Sequence, residues 1–160
     1  MRPVHVRRVV TGHDANGRAI VKIDEVCSNI QSTRPGISSC VVWATDFSPA
    51  DYSGDFDGAL RNVGTTLANG TVFRIAQYAP GVAPRRHRTE SIDYAVVISG
   101  GIHMQLDEAE VHLKAGDALV QCGTIHNWVN RGSEPCVIAF VLVDAEPAIA
   151  GKKVLRAVEE

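Results

Sequence analysis

The chain has 160 residues, enough for one domain with a hydrophobic core, and its 45% apolar and 21% charged content is that of an ordinary globular protein. A formal charge of -2 excludes an electrostatic footprint for nucleic acid or an anionic membrane. No apolar run approaches the roughly 20 residues that cross a bilayer.

The start, Met1 to Arg8, is basic but has no apolar segment behind it. No signal peptide is read there, and the protein is expected in the cytoplasm. Val6 to Thr11 and Arg18 to Ile23 are β-rich runs flanking His13-Asp14-Ala15-Asn16-Gly17, and Asn-Gly between such runs signals a hairpin. Ser39 to Thr45 reads as a buried strand. Phe47 to Asn69 reads as loop, with one short helical turn around Ala59 to Asn62. Thr71 to Tyr78 alternates and reads as a strand. Ser91 to Ser99 and Ile102 to Leu106 are strands joined at Gly100-Gly101. Glu110 to Leu113 and Ala118 to Gln121 flank the turn Lys114-Ala115-Gly116-Asp117. Ile125 to Asn130 and Cys136 to Val143 complete the set, and Ala150 to Glu160 reads as a short helix or an arm. Frequent, evenly spaced strands with few helix signals predict an all-β sandwich or barrel. A small closed barrel encloses a pocket lined by alternate residues, so a ligand cavity is expected from the fold class.

Several chemistries lack their motifs. There is no glycine loop followed by lysine for phosphate, no dinucleotide fingerprint and no Ser-centred nucleophile elbow. Cys27, Cys40, Cys122 and Cys136 form no CxxC pair and are expected to be reduced thiols.

The densest chemistry lies between Gly81 and Asn130. One frame reads Gly81-x5-His87-x-Thr89-x3-Asp93-x6-Gly100, and a second reads Gly116-x4-Gln121-x-Gly123-x2-His126-x3-Asn130. These frames resemble the paired motifs of the cupin superfamily, usually written Gly-x5-His-x-His-x3,4-Glu-x6-Gly and Gly-x5-Pro-x-Gly-x2-His-x3-Asn. The resemblance implies a cupin-like barrel (a double-stranded β-helix or jelly roll) of six or more strands, often dimeric, holding a divalent metal on three histidines and a glutamate. On that pattern His87 and His126 fall on histidine positions and Asp93 on the glutamate. Thr89 stands where the second histidine belongs, and Gln121 stands at the proline.

The expected organisation is one structural domain. Residues 1–70 form an N-terminal β extension packing on the barrel or on a partner subunit, residues 71–146 the barrel, and residues 147–160 a tail. A homodimer is expected, since it would bury sheet edges. The metal set implied is His87, His126 and Asp93, the two-histidine, one-carboxylate facial triad. Iron, zinc, manganese and nickel are not distinguished by these ligands, and a metal-free pocket stays open. His87 and His126 are the expected catalytic residues, either on the metal or as bare acid and base. Asp93 has two further roles open, fixing the His87 tautomer or capping the turn before its strand.

Substrate contacts are expected from Arg74, Thr89, Gln121, Trp128 and His103. Thr89 shares a strand face with His87. Arg74, Ala76 and Tyr78 share another, where Arg74 would clamp a carboxylate if that face is inward. Trp128 has the parity of His126 and either walls the pocket or packs in the core. Gln121 approaches the His126 turn, and His103 is a substitute ligand or acid–base group. Tyr94 is expected to pack between sheets, and Cys122 to border the site. Asn130 is expected to tie down its turn. The expected function is a cupin-type enzyme acting on a small polar or aromatic molecule, with oxygenase, decarboxylase or lyase, and isomerase chemistry all open. The alternatives are a metal-free small-molecule-binding protein and a metal-free acid–base enzyme.

Overall fold

Alternation of apolar and polar residues resolves into antiparallel strands throughout the computed structural model, which describes residues 1–160. The strands are β1 Arg7–His13, β2 Ala19–Val26, β3 Ile30–Gln31, β4 Ile37–Thr45, β5 Thr71–Tyr78, β6 His87–Arg88, β7 Ser91–Ser99, β8 Gly101–Gln105, β9 Glu110–Lys114, β10 Ala118–Cys122, β11 Asn127–Val129, β12 Cys136–Asp144, β13 Ala148–Ala150, β14 Lys153–Leu155 and β15 Val158–Glu159. One short 3-10 turn, Gly58–Leu60, interrupts the loop before β5, and Asp57 caps it by accepting from Ala59 N.

Six strands form one sheet in the order β10-β7-β12-β5-β4-β3, and β11-β8-β9 form a second. The period-2 pattern of each strand decides what lies between the sheets. On β12 Cys136, Ile138, Phe140 and Leu142 are buried and alternate with partly exposed neighbours. On β7 Ala95 and Val97 point inward with Asp93. From the smaller sheet Ile102, Met104 and Trp128 join the same core. The expected all-β barrel is therefore present.

The N-terminal third is woven into this barrel. β4 pairs with β5 along its length, adding a strand to the large sheet. Val4 N donates to Ser38 Oγ at 2.9 Å, and Val4, Cys27, Cys40 and Ile75 make a second small core. The β1–β2 hairpin turns at Asp14-Ala15-Asn16-Gly17, where Asp14 Oδ1 accepts from Asn16 N and Arg18 N and Gly17 takes φ 75°. Arg8 is buried with its guanidinium on Glu25 (2.6 Å) and Asp57, so this hairpin is tied to the 3-10 turn.

The structure departs from the sequence reading in a few places. The tail is an arm of three short strands with no helix, and its last strand, β15, pairs with β6. Tyr94 is not packed between sheets; it is 49% exposed on the outer face, because Asp93 takes the inward position and neighbours alternate. The strand after Gly123 is shortened to Asn127–Val129, since His126 is already held in a separate bridge to His87. No helix is long and apolar enough to cross a membrane.

Asn130 is 1% exposed and satisfies three backbone groups: it donates to Tyr78 O (3.0 Å) and Glu134 O (2.9 Å) and accepts from Gly132 N (2.9 Å). Alanine there strands buried polar groups, at a cost on the order of 3 kcal/mol. Asn130→Ala is expected to lower the urea midpoint with an unchanged m-value, and a midpoint equal to wild type would refute this role.

Candidate functional site

A cavity of about 430 Å³ opens between the two sheets. Its apolar wall includes Ile37, Ala76, Trp128, Phe140 and Leu142, and its polar wall includes Arg34, Arg74, Tyr78, Arg85, Thr89 and Asp93. His87 and His126 stand together on it, with ring centroids 4.3 Å apart. What joins them is backbone. His87 N donates to His126 O at 3.0 Å and His126 N donates to His87 O at 2.9 Å, a lone antiparallel bridge between residues 39 apart in sequence.

The tautomers follow from neighbouring carbonyls, which only accept. His87 Nδ1 lies 3.1 Å from Arg85 O, and His126 Nδ1 lies 3.0 Å from Thr124 O. The His87 Nδ1 thus carries the proton and its Nε2 keeps a lone pair, while at His126 the carbonyl favours the same tautomer and the Gln121 amide nitrogen lies 3.3 Å from Nε2. Burial disfavours the charged form of both rings. It lowers the pKa of His87, and it lowers that of His126 to about 4, with His87 adding repulsion. At neutral pH the site therefore presents two uncharged imidazoles. Trp128 meets the His126 ring edge-on, with centroids 5.7 Å apart at 78°, and fixes its orientation from the apolar side.

Asp93 is buried on the inward face of β7 and lines the cavity. Its Oδ1 accepts from Ser91 Oγ at 2.6 Å, and Ser91 Oγ is 2.8 Å from Thr89 Oγ1, so three side chains form a polar row along one strand edge. Burial raises the Asp93 pKa, and the Ser91 hydrogen bond opposes that only in part. The triad implied by the resemblance is not assembled: no three His, Cys, Asp or Glu side chains are grouped to hold a metal ion. Asp93 is turned to Ser91, and aspartate is one methylene shorter than the glutamate that the motif usually carries there.

The other expected site residues separate. Arg74, Thr89 and Trp128 border the cavity. Gln121 does not border it. It lies behind His126, with its amide nitrogen donating to Thr124 O at 3.1 Å, its oxygen accepting from Thr124 Oγ1 at 2.9 Å, and its amide against the His126 ring. His103 lies outside the cavity. It faces outward on β8 and stacks on His112 of β9, centroids 4.3 Å apart, because the inward positions of β8 belong to Ile102 and Met104. Cys122 is exposed and also outside.

Arg34 and Glu159 border the cavity and carried no motif in the sequence. Both arrive through long-range pairing, Glu159 opposite His87 in the β15–β6 ladder. Phe140 and Leu142 had a usable signal, since the period of β12 puts them on the face of Ile138.

Residues 74–143 match the family model described as Cupin domain. The cupin-domain-containing oxidoreductase fogC of Aspergillus ruber is 34% identical over 158 residues, covering 92% of this chain and 77% of that protein. Phomopsin biosynthesis cluster protein C' of Diaporthe leptostromiformis is 35% identical over 162 residues, covering 94% and 85%. Among solved structures, KdgF from Halomonas sp. superposes with a TM-score of 0.49 at 19% identity, over 71% of this chain and 85% of that one. The chain belongs to the cupin superfamily.

Proposed function

We propose that this protein is an enzyme that moves a proton on a small polar or aromatic molecule held in the barrel, with His87 and His126 as its acid–base pair. The observation that carries the reading is the facing of two buried, neutral imidazoles on a cavity wall, with the Nε2 lone pair of His87 free of any protein partner. A neutral Nε2 accepts a proton from an activated C–H or O–H of the substrate. The resulting imidazolium returns it to another atom, so the step balances without a co-reactant. Two like charges this close disfavour each other, so the pair holds one proton at a time. Relatives named as oxidoreductases and biosynthesis cluster proteins support an enzyme-like role for the cavity.

A second reading places a divalent transition metal on His87 and His126. It is favoured by the Nδ1 contacts to carbonyls, an arrangement common behind metal-bound histidines. Asp93 lines the same cavity, with its Oδ1 accepting from Ser91 Oγ. Near one metal per chain in protein purified without chelator or tag-metal column, lost in the His87→Ala/His126→Ala variant, would establish that reading.

We also propose a homodimer through the outer face of the large sheet. Tyr94, Val96, Ile98 and Val120 are all about half exposed there, and Val120 sits directly opposite Tyr94. Val96→Glu/Val120→Glu is expected to sediment as a monomer where the wild type sediments as a dimer; a wild-type monomer would dismiss the interface.

The catalytic reading is tested by solvent-deuterium incorporation into a panel of small carbonyl compounds. His87→Ala and His126→Ala are each expected to slow exchange about 10²–10⁴-fold. Exchange at the wild-type rate in both variants would remove the pair from the chemistry.

Stability carries its own signature of the buried pair. Below pH about 6.5 the unfolded chain protonates residue 126 and the folded site refuses the proton until pH about 4. Stability is therefore expected to fall between those values, by about 3 kcal/mol from His126. Asp93 acts in the opposite sense, since its raised pKa makes folding less costly as pH falls. His126→Gln isolates the histidine, and urea titrations should show a flatter acid limb in the variant. An acid limb as steep as wild type would show that His126 titrates normally.

A further inference from the structure

Three guanidinium groups border the cavity and only one has a carboxylate partner. Arg85 is paired with Glu159 through two hydrogen bonds of 2.8 and 3.0 Å. Arg74, on β5, has no such partner. Its Nη2 donates to Gly64 O at 2.6 Å, and its Nε is buried with nothing to donate to. Arg34 is half-buried, and an Nη1 hydrogen bond to Ala83 O is its one protein contact of this kind. Burial lowers the pKa of both, yet arginine stays charged at neutral pH. Glu159 acts on Arg34 only through space while its hydrogen bonds go to Arg85, and Asp93 accepts from Ser91, so Arg74 is left without a carboxylate.

A partly desolvated cation with a free N–H and no counter-charge is costly to hold unless a partner arrives from outside. The partner must also tolerate the largely apolar part of the lining, which includes Trp128, Leu142 and Phe140, the last directly across the β5–β12 ladder from Arg74. The planar donor fork of arginine matches the two oxygens of a carboxylate.

We infer that the cavity takes a carboxylate-bearing organic molecule, seated with its carboxylate on Arg74 and Arg34 and its apolar body against Trp128, Phe140 and Leu142. This names the substrate class for the proton-transfer reading and shares its cavity. Arg74 and Arg34 hold and orient the ligand in the cavity that the histidine pair also lines.

Matched probes test the inference without needing turnover. Benzoate, cinnamate, hydrocinnamate and phenylpyruvate are each titrated beside the neutral amide of the same skeleton, following the indole N–H of Trp128 by NMR, with Trp43, which does not line the cavity, as the reference. At least one carboxylate is expected to shift Trp128 and to bind about 10- to 100-fold more tightly than its amide, the effect of a charge-assisted hydrogen bond. Arg74→Gln is expected to erase that preference by weakening carboxylate binding far more than amide binding, and Arg74→Lys to retain part of it. Amides binding as tightly as carboxylates, or no carboxylate shifting Trp128 at millimolar concentration, overturns the inference even if Arg74→Gln fails to fold. Carboxylate preference that persists in Arg74→Gln overturns it as well. The two proposals fail separately. Carboxylate binding that survives His87→Ala/His126→Ala, with no deuterium exchange in wild type, sinks proton transfer and keeps the carboxylate site. Wild-type exchange lost in both histidine variants, with amides binding as tightly as carboxylates, does the reverse.

Discussion

The site depends on one lone backbone bridge, in which His87 and His126 each donate to the other's carbonyl. Two residues bonded in this way in an antiparallel pair lie side by side with their side chains on the same face. Ring proximity is thus a consequence of main-chain geometry and does not rely on a side-chain contact. The same bridge is reinforced from the far side, where β15 pairs with β6 and Glu160 N donates to Arg86 O. His87 is therefore held between two segments that come from the middle and the end of the chain.

Burial then sets the chemistry. The rings sit between an apolar wall and a desolvated carboxyl, and each Nδ1 faces a carbonyl. Desolvation keeps them neutral and the carbonyls favour the Nδ1–H tautomer, leaving the His87 Nε2 as an acceptor without a protein partner. Gln121 and Trp128 hold His126 from opposite sides, the first by its amide and the second by its ring edge. Arg74, which has no carboxylate partner, gives the cavity a place for an anion beside its apolar lining.

Much of the fold was legible because a half-buried strand advertises itself with a period of two. Thr71–Tyr78 and Ser91–Ser99 run over the spans that their alternation indicates, and Asn16-Gly17 turns the first hairpin. The tail was ambiguous because three strands of two or three residues are too short to show any period. His103 and Gln121 misled for a related reason. Motif proximity brings a residue near a site in sequence, but inward or rearward orientation is decided by the partner strand, and β8 spends its inward positions on Ile102 and Met104. The carboxylate of Asp93 was legible as an inward group, whereas its turn toward Ser91 depends on a hydroxyl two residues away on the same face.

The sequence by itself determined the elements, the turns and the two histidine frames, since these rest on local periodicity and on backbone conformations that only certain residues adopt. Tertiary structure alone decided which cations lack a partner, that Glu159 returns to the cavity to occupy Arg85, and that Asp93 turns to Ser91. The reason is physical: charge pairing and desolvation depend on distances between residues tens of positions apart. Those distances exist only once the sheets have closed.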